Sequence, residues 1–108
     1  MALAPARVSM PSQAKKDEII EIKALVRHPM ETGYRVDSIG QPIPRNIITL
    51  FTVTYGGVEI FRMDMYPAIA ANPFVSFAIR SSVTGELVFT WTDDHDLVTV
   101  ERKMLTVT

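Results

Sequence analysis

The chain has 108 residues, 47% apolar and 21% charged, enough for one soluble globular domain closed by its own core. It contains no cysteine, which excludes disulfides, thiolate zinc sites and cysteine nucleophiles. A net charge of −1 leaves no basic footprint for nucleic acid, and no apolar run approaches the roughly 20 residues needed to span a bilayer.

Residues 1–16 read as a polar tail punctuated by Pro5 and Pro11 and ending in Lys15-Lys16, a mobile terminus ahead of one domain at 17–108. The tail lacks the continuous apolar stretch of about 7–15 residues that a signal peptide requires, which taken alone favours a cytoplasmic protein. From Glu18 to Arg27 the pattern has period two, with Ile20, Ile22, Ala24 and Val26 on one face, and predicts a half-buried strand.

His28 to Arg45 follows, an 18-residue segment with Pro29, Pro42, Pro44, Gly33 and Gly40 that neither a helix nor an interior strand accommodates. Connections usually run about 4–6 residues, and longer ones tend to be functional or disordered. Met30, Tyr34, Val36, Ile39 and Ile43 argue for an ordered loop pinned to the body. Arg35 and Asp37 are placed to brace it as an ion pair, and Tyr34 and Arg35 are placed equally to touch a partner.

Ile47–Tyr55 and Val58–Met65 are β-rich runs joined by Gly56-Gly57, a hairpin signal because both turn residues need positive φ. A two-residue turn sets Tyr55 opposite Val58, Val53 opposite Ile60 and Phe51 opposite Arg62. In that register Leu50, Phe61, Met63 and Met65 gather on the outer face, where solvent selects polar side chains. Such a patch calls for a cover, either the chain's own long loop or another protein. Tyr66–Pro73 is a two-proline connection. Phe74–Arg80, the run holding Leu87, Phe89 and Trp91, and Leu97–Thr108 complete six strands, the last expected to bulge near Arg102-Lys103, where alternation breaks. The count and spacing predict an all-β fold, an antiparallel immunoglobulin-like β-sandwich.

The residues offer little chemistry. Asp93, Asp94, His95 and Asp96 form the densest group of potential metal ligands, but four consecutive residues in a turn point apart, and the group reads as a solvated turn. His28 and His95 are the two histidines. Either one as a general base needs a nucleophile and an orienting partner that the sequence does not supply.

His28-Pro29-Met30-Glu31-Thr32-Gly33, with Arg35, Asp37, Gly40, Ile43 and Pro44, resembles the signature of the SoxZ family of bacterial thiosulfate oxidation. A second block, Pro67-Ala68-Ile69-Ala70-Ala71-Asn72-Pro73-Phe74, is similar to that family's Gly-Pro-x-x-Ser-x-Asn-Pro-Phe, departing from it at Tyr66 and Ala70. Trp91 and Asp93 match its Trp-x-Asp. The resemblance runs from about Glu18 to the end. It implies the same sandwich, no catalytic residues, no cofactor and no metal. It implies a SoxY-type carrier subunit as heterodimer partner, with transient contacts to other thiosulfate-oxidation enzymes. SoxY carries sulfur on a cysteine in a flexible C-terminal arm; here the chain ends Met104-Leu105-Thr106-Val107-Thr108, which fits the supporting subunit. The resemblance also implies a periplasmic protein exported with a signal-bearing partner. The partner surface is then expected at His28, Pro29, Met30, Glu31, Thr32 and Gly33 of the loop, with Leu50, Phe61, Met63 and Met65 of the hairpin. Two rival readings are a small enzyme using His28 or His95 and a self-associating β-sandwich. His-Pro-Met also occurs in superoxide reductases, whose iron site uses four histidines and one cysteine. Two histidines and no cysteine cannot supply that ligand set.

Overall fold

The computed structural model describes residues 5–66, 69 and 71–108. In chain order the strands are β1 (Ala6–Ser9), β2 (Gln13–Ala14), β3 (Ile19–Val26), β4 (Ile48–Tyr55), β5 (Val58–Asp64), β6 (Phe74–Arg80), β7 (Gly85–Asp93) and β8 (Val98–Val107). The described residues form no helix. A three-stranded sheet, β1-β3-β6, faces a five-stranded sheet, β2-β8-β7-β4-β5. Every pairing is antiparallel except the short one between β2 and β8. This is the immunoglobulin-like sandwich that strand count and spacing imply.

Alternation places one face of each sheet inside. β3 buries Ile20, Ile22, Ala24 and Val26, and the central strands of the larger sheet bury Phe51, Val53, Leu87, Phe89 and Trp91. Trp91 stacks on Phe51 at 4.8 Å between ring centroids. Tyr55, at the end of β4, donates its hydroxyl hydrogen to the Val83 carbonyl and accepts from the Ser82 and Val83 amides. The turn after β6 is thereby tied to the larger sheet.

The expected tail carries two short strands, Ala6–Ser9 and Gln13–Ala14. β1 pairs with β3 and β2 with β8, and Val8 and Ala14 reach the core. Four and two residues carry too little alternation to read as strands; the neighbours that pair with them decide it.

Gly56 and Gly57 take φ of 57° and 84°, and Tyr55 pairs with Val58 as the turn requires. The register then slips. Thr54 pairs with Glu59 but Val53 pairs with Phe61, so Ile60 is the extra residue of a β-bulge. A one-residue slip turns every later side chain to the other face. Phe61 and Met63, expected outside, pack inward against the core, and Arg62 opposes Thr52 in solvent. Met65 is buried just past the strand end. Of the four residues expected to form the outer patch, Leu50 is the one whose register leaves it outside. Phe61 meets Phe51 edge-on at 5.9 Å and stacks on Phe77 of the facing sheet at 4.5 Å.

The bulge expected near Arg102-Lys103 is absent. β8 pairs with β7 in continuous register from Val98 to Leu105. Alternation breaks in the sequence because Thr99, Glu101 and Lys103 share a side with buried Leu105 yet stay half-exposed. A three-stranded sheet covers a five-stranded one incompletely, so inward positions near the margin remain wet.

The bulge gives a direct expectation for Phe61→Asp. The unfolding free energy should fall by at least about 3 kcal/mol, the usual cost of removing a packed phenylalanine. Denaturant unfolding followed by the fluorescence of Trp91 measures it, and a wild-type midpoint would put Phe61 outside the sandwich.

Candidate functional site

Between β3 and β4 the proline-rich segment forms a two-legged ribbon. Glu31 and Asn46 exchange backbone hydrogen bonds of 2.7 and 2.8 Å at its base. Farther out, the Ile43 amide donates to the Arg35 carbonyl at 2.9 Å and the Asp37 amide to the Gln41 carbonyl at 2.8 Å. The tip turn is held by Asp37, whose Oδ1 accepts from the Ile39 and Gln41 amides, each at 2.9 Å. Gly33 has φ of 87°, and a Cβ there would stand 3.0 Å from the Arg45 Cβ, so the two legs cross where only glycine fits.

The expected Arg35–Asp37 pair does not form. Arg35 instead grips Glu31 through Nε and Nη2 at 2.6 to 3.2 Å. That guanidinium pulls the Glu31 carboxyl below its ordinary value, and the Glu31 carboxylate raises the Arg35 value in return. The reason is reach, since Asp37 is already committed to the tip. Met30 pins the ribbon as expected, buried with its sulfur 3.2 Å from the Ile48 amide. Tyr34, Val36 and Ile39 do not pin it. They stand in solvent, Tyr34 at 87% and Ile39 at 79% exposure. Backbone ladder bonds do the ordering that apolar contacts were expected to do.

The ribbon's foot draws on distant parts of the chain. His28 is 6% exposed, its amide donates to Asn72 Oδ1 at 3.0 Å, and its carbonyl accepts from the Asn72 amide at 2.7 Å. The His-Pro-Met and Asn-Pro-Phe blocks thus meet in space although 44 residues separate those two side chains. Pro67, Ala68 and Ala70 of the second block lie outside the described residues. On the other leg, Arg45 Nε is 2.9 Å from Asp94 Oδ2, and the Ile47 amide donates to Asp94 Oδ1 at 3.2 Å.

The acidic turn therefore has structural work. Asp93 is buried, and its Oδ1 accepts from the His95 and Leu97 amides at 2.9 Å. Asp93, Asp94 and His95 bring ligand atoms within 4.8 Å of one another. Both carboxylates are already engaged by backbone amides and Arg45, which accounts for the arrangement without a metal. Sequence reasoning took this turn as solvated and missed its role as the ribbon's anchor. The side chain that reads Arg45 is 49 residues away, so no local signal could have revealed it.

His28 is enclosed rather than poised for catalysis. Its Nδ1 accepts from the Met30 amide at 3.0 Å, so Nε2 carries the hydrogen in the neutral ring. That Nε2 and the nearby Asn46 Oδ1 are both buried without a hydrogen bond of normal geometry. Burial pushes the His28 pKa below 6.5, opposed by the Asp93 charge, by Asn46 and by the Asp94 charge.

Of the loop residues expected at a partner surface, Met30 and His28 are buried, Pro29 is exposed, and Glu31, Thr32 and Gly33 are half-buried. Leu50 lies on the outer face of β4, away from them in register. The structure does not gather the ten residues into one patch.

The model of the family described as sulphur oxidation protein SoxZ matches residues 8–103. The chain belongs to the SoxZ family. Its span takes in the end of β1 and the whole ribbon. No curated protein matches this SoxZ chain closely enough to count as a relative. Among solved structures it is similar to the sulfur carrier protein SoxY from Chlorobium limicola f thiosulfatophilum, with TM-score 0.68 and 15% identity over 95% of this chain and 78% of that one. It is also similar to the superoxide reductase (neelaredoxin) from Ignicoccus hospitalis, with TM-score 0.73 and 19% identity over 95% and 80% of the two chains. Likenesses at such identities are likenesses of fold.

The enclosed His28 predicts a pH dependence with a definite sign. Unfolded, the ring titrates near 6.5; folded, it resists the proton until lower pH. Its contribution is thus fully present above 6.5 and lost as pH falls through the folded value. Tm should be lower at about pH 5.5 than at about pH 7.5, and His28→Gln should flatten that part of the profile. Calorimetry across the range checks it, and an unchanged slope in the variant would show that His28 is solvated.

Proposed function

We propose that this SoxZ chain is the non-catalytic subunit of a sulfur carrier complex in thiosulfate oxidation, binding and supporting a SoxY-type subunit whose cysteine carries the sulfur intermediates. The observation that carries the reading is family membership over residues 8–103 in a chain of 108 residues without a single thiol. Covalent sulfur chemistry on a cysteine then belongs to the partner. The site geometry agrees with a supporting role. His28 is walled in, Asp93 and Asp94 are spent on backbone amides and Arg45, and the ribbon is held by backbone bonds while Tyr34, Val36 and Ile39 stand in solvent. Contacts with the other thiosulfate-oxidation enzymes are transient on this reading, and Ile39 at the tip and Tyr34 on the leg are the side chains most available for them.

Reconstitution tests it. Thiosulfate turnover by the pathway enzymes with SoxY should require this chain, and His95→Ala should leave turnover unchanged. Full turnover without the chain would end the carrier reading, and a loss on His95→Ala with folding and partner affinity intact would favour the enzyme reading.

On the same reading the protein works in the periplasm and arrives there folded, bound to its signal-bearing partner. Cells expressing it with that partner should hold it in the periplasmic fraction, and cells lacking the partner should not. Periplasmic protein in the second strain would refute export by association.

A further inference from the structure

The two outer faces of the sandwich are built from different residues. On the smaller sheet, Arg7, Glu21, Lys23 and Arg80 stand outward in the alternation, mixed with Ile19, Leu25 and Phe74. In the larger sheet the outward positions of β4 carry no charge, and those of its central strand β7 carry one, Glu86, at the end of the strand. Register places Val98, Thr92 and Leu50 in one cross-strand row and Val100, Thr90 and Thr52 in the next. Val88 and Thr54 continue the surface. Charges begin at its margins, and most are neutralised there. Arg102 pairs with Glu86 at 2.9 Å and Arg62 with Glu59 at 3.2 Å, leaving Asp64 at the edge. An apolar and hydroxyl-bearing centre inside a polar rim is the anatomy of a protein interface.

We propose that this outer face of the larger sheet, centred on Thr52, Thr90 and Val100, is the surface on which the SoxY-type subunit docks, sheet against sheet. The proposal rests on the carrier reading above for the partner's identity and on the face itself for the location. The area is sufficient. Four strands about 4.8 Å apart and up to some 30 Å long give, with side-chain relief and rim, an area on the order of the roughly 800 Å² per partner of a stable complex. The geometry fits as well. SoxY shares this fold over 95% of the chain, so it presents a sheet of like width and twist. Twisted sheets of that kind pack face to face about 10 Å apart through β-branched side chains.

The test places a charge in the centre of the face. Thr90→Lys and Val100→Lys, folded by calorimetry, should bind a purified SoxY-type subunit at least about 100-fold more weakly in titration calorimetry, since an unpaired ammonium would be buried. Val100 is 43% exposed and tolerates the charge in the free fold even where Thr90 does not. Lys23→Glu, on the outer face of the other sheet, should bind normally. Wild-type affinity in the folded lysine variants would overturn the location while the carrier reading stands. No binding by the wild-type chain would instead overturn the carrier reading. A chain that dimerises alone, and becomes monomeric on Thr90→Lys, would assign the face to a second copy and overturn the proposal.

Discussion

Four aromatic rings hold the two sheets together. Trp91 stacks on Phe51, Phe51 meets the edge of Phe61, and Phe61 stacks on Phe77 of the opposite sheet. The row crosses β7, β4 and β5 and then passes through the core to β6. It exists because the bulge at Ile60 turns Phe61 inward. Without the extra residue, Phe61 and Met63 would point to solvent and Arg62 into the core, where burying an unpaired guanidinium costs several kcal/mol. The bulge thus decides which face of β5 is core and, through it, what remains on the outer face of the whole sheet.

What remains there is a face of threonine and valine, whereas the smaller sheet mixes charges with outward Ile19, Leu25 and Phe74. Solvent acts equally on both. A face whose charges are confined to its margins, with threonine and valine across its middle rows, answers to something other than water. The ribbon is a second display feature with a different physics. It is ordered by a ladder of backbone bonds, by the crossing at Gly33 and by Asp94, and it leaves Tyr34 and Ile39 in solvent. The face offers area, while the ribbon offers a small protruding tip.

The likeness to superoxide reductase separates fold from site. The sandwich is shared, and His28 stands at the corner where β3 gives way to the ribbon. Here the histidine is closed in by Asn72 and the Met30 amide, in a chain with two histidines and no cysteine. In this chain the corner after β3 is a joint between two sequence blocks. A fold of this kind hosts unrelated functions because the side chains at such corners are free to change.

Much of the fold was legible in the sequence, because its signals are local. Period-two runs marked Ile19–Val26 and Phe74–Arg80, Gly56-Gly57 marked the hairpin, and prolines with glycines marked the ribbon as neither helix nor core strand. The family blocks marked its first residues and Asn72. The tertiary structure alone decided what depends on neighbours distant in sequence. Ala6–Ser9 and Gln13–Ala14 become strands because β3 and β8 offer edges to pair with. The side of β5 that is buried follows from a one-residue bulge, which alternation cannot register, since Glu59 and Ile60 read the same whichever of them is extra. Asp94 finds Arg45, and His28 finds Asn72, across more than 40 residues. Strand identity is written in each strand's own side chains, whereas register, anchoring and the exposed face are properties of pairs, and a pair is settled only when the chain closes on itself.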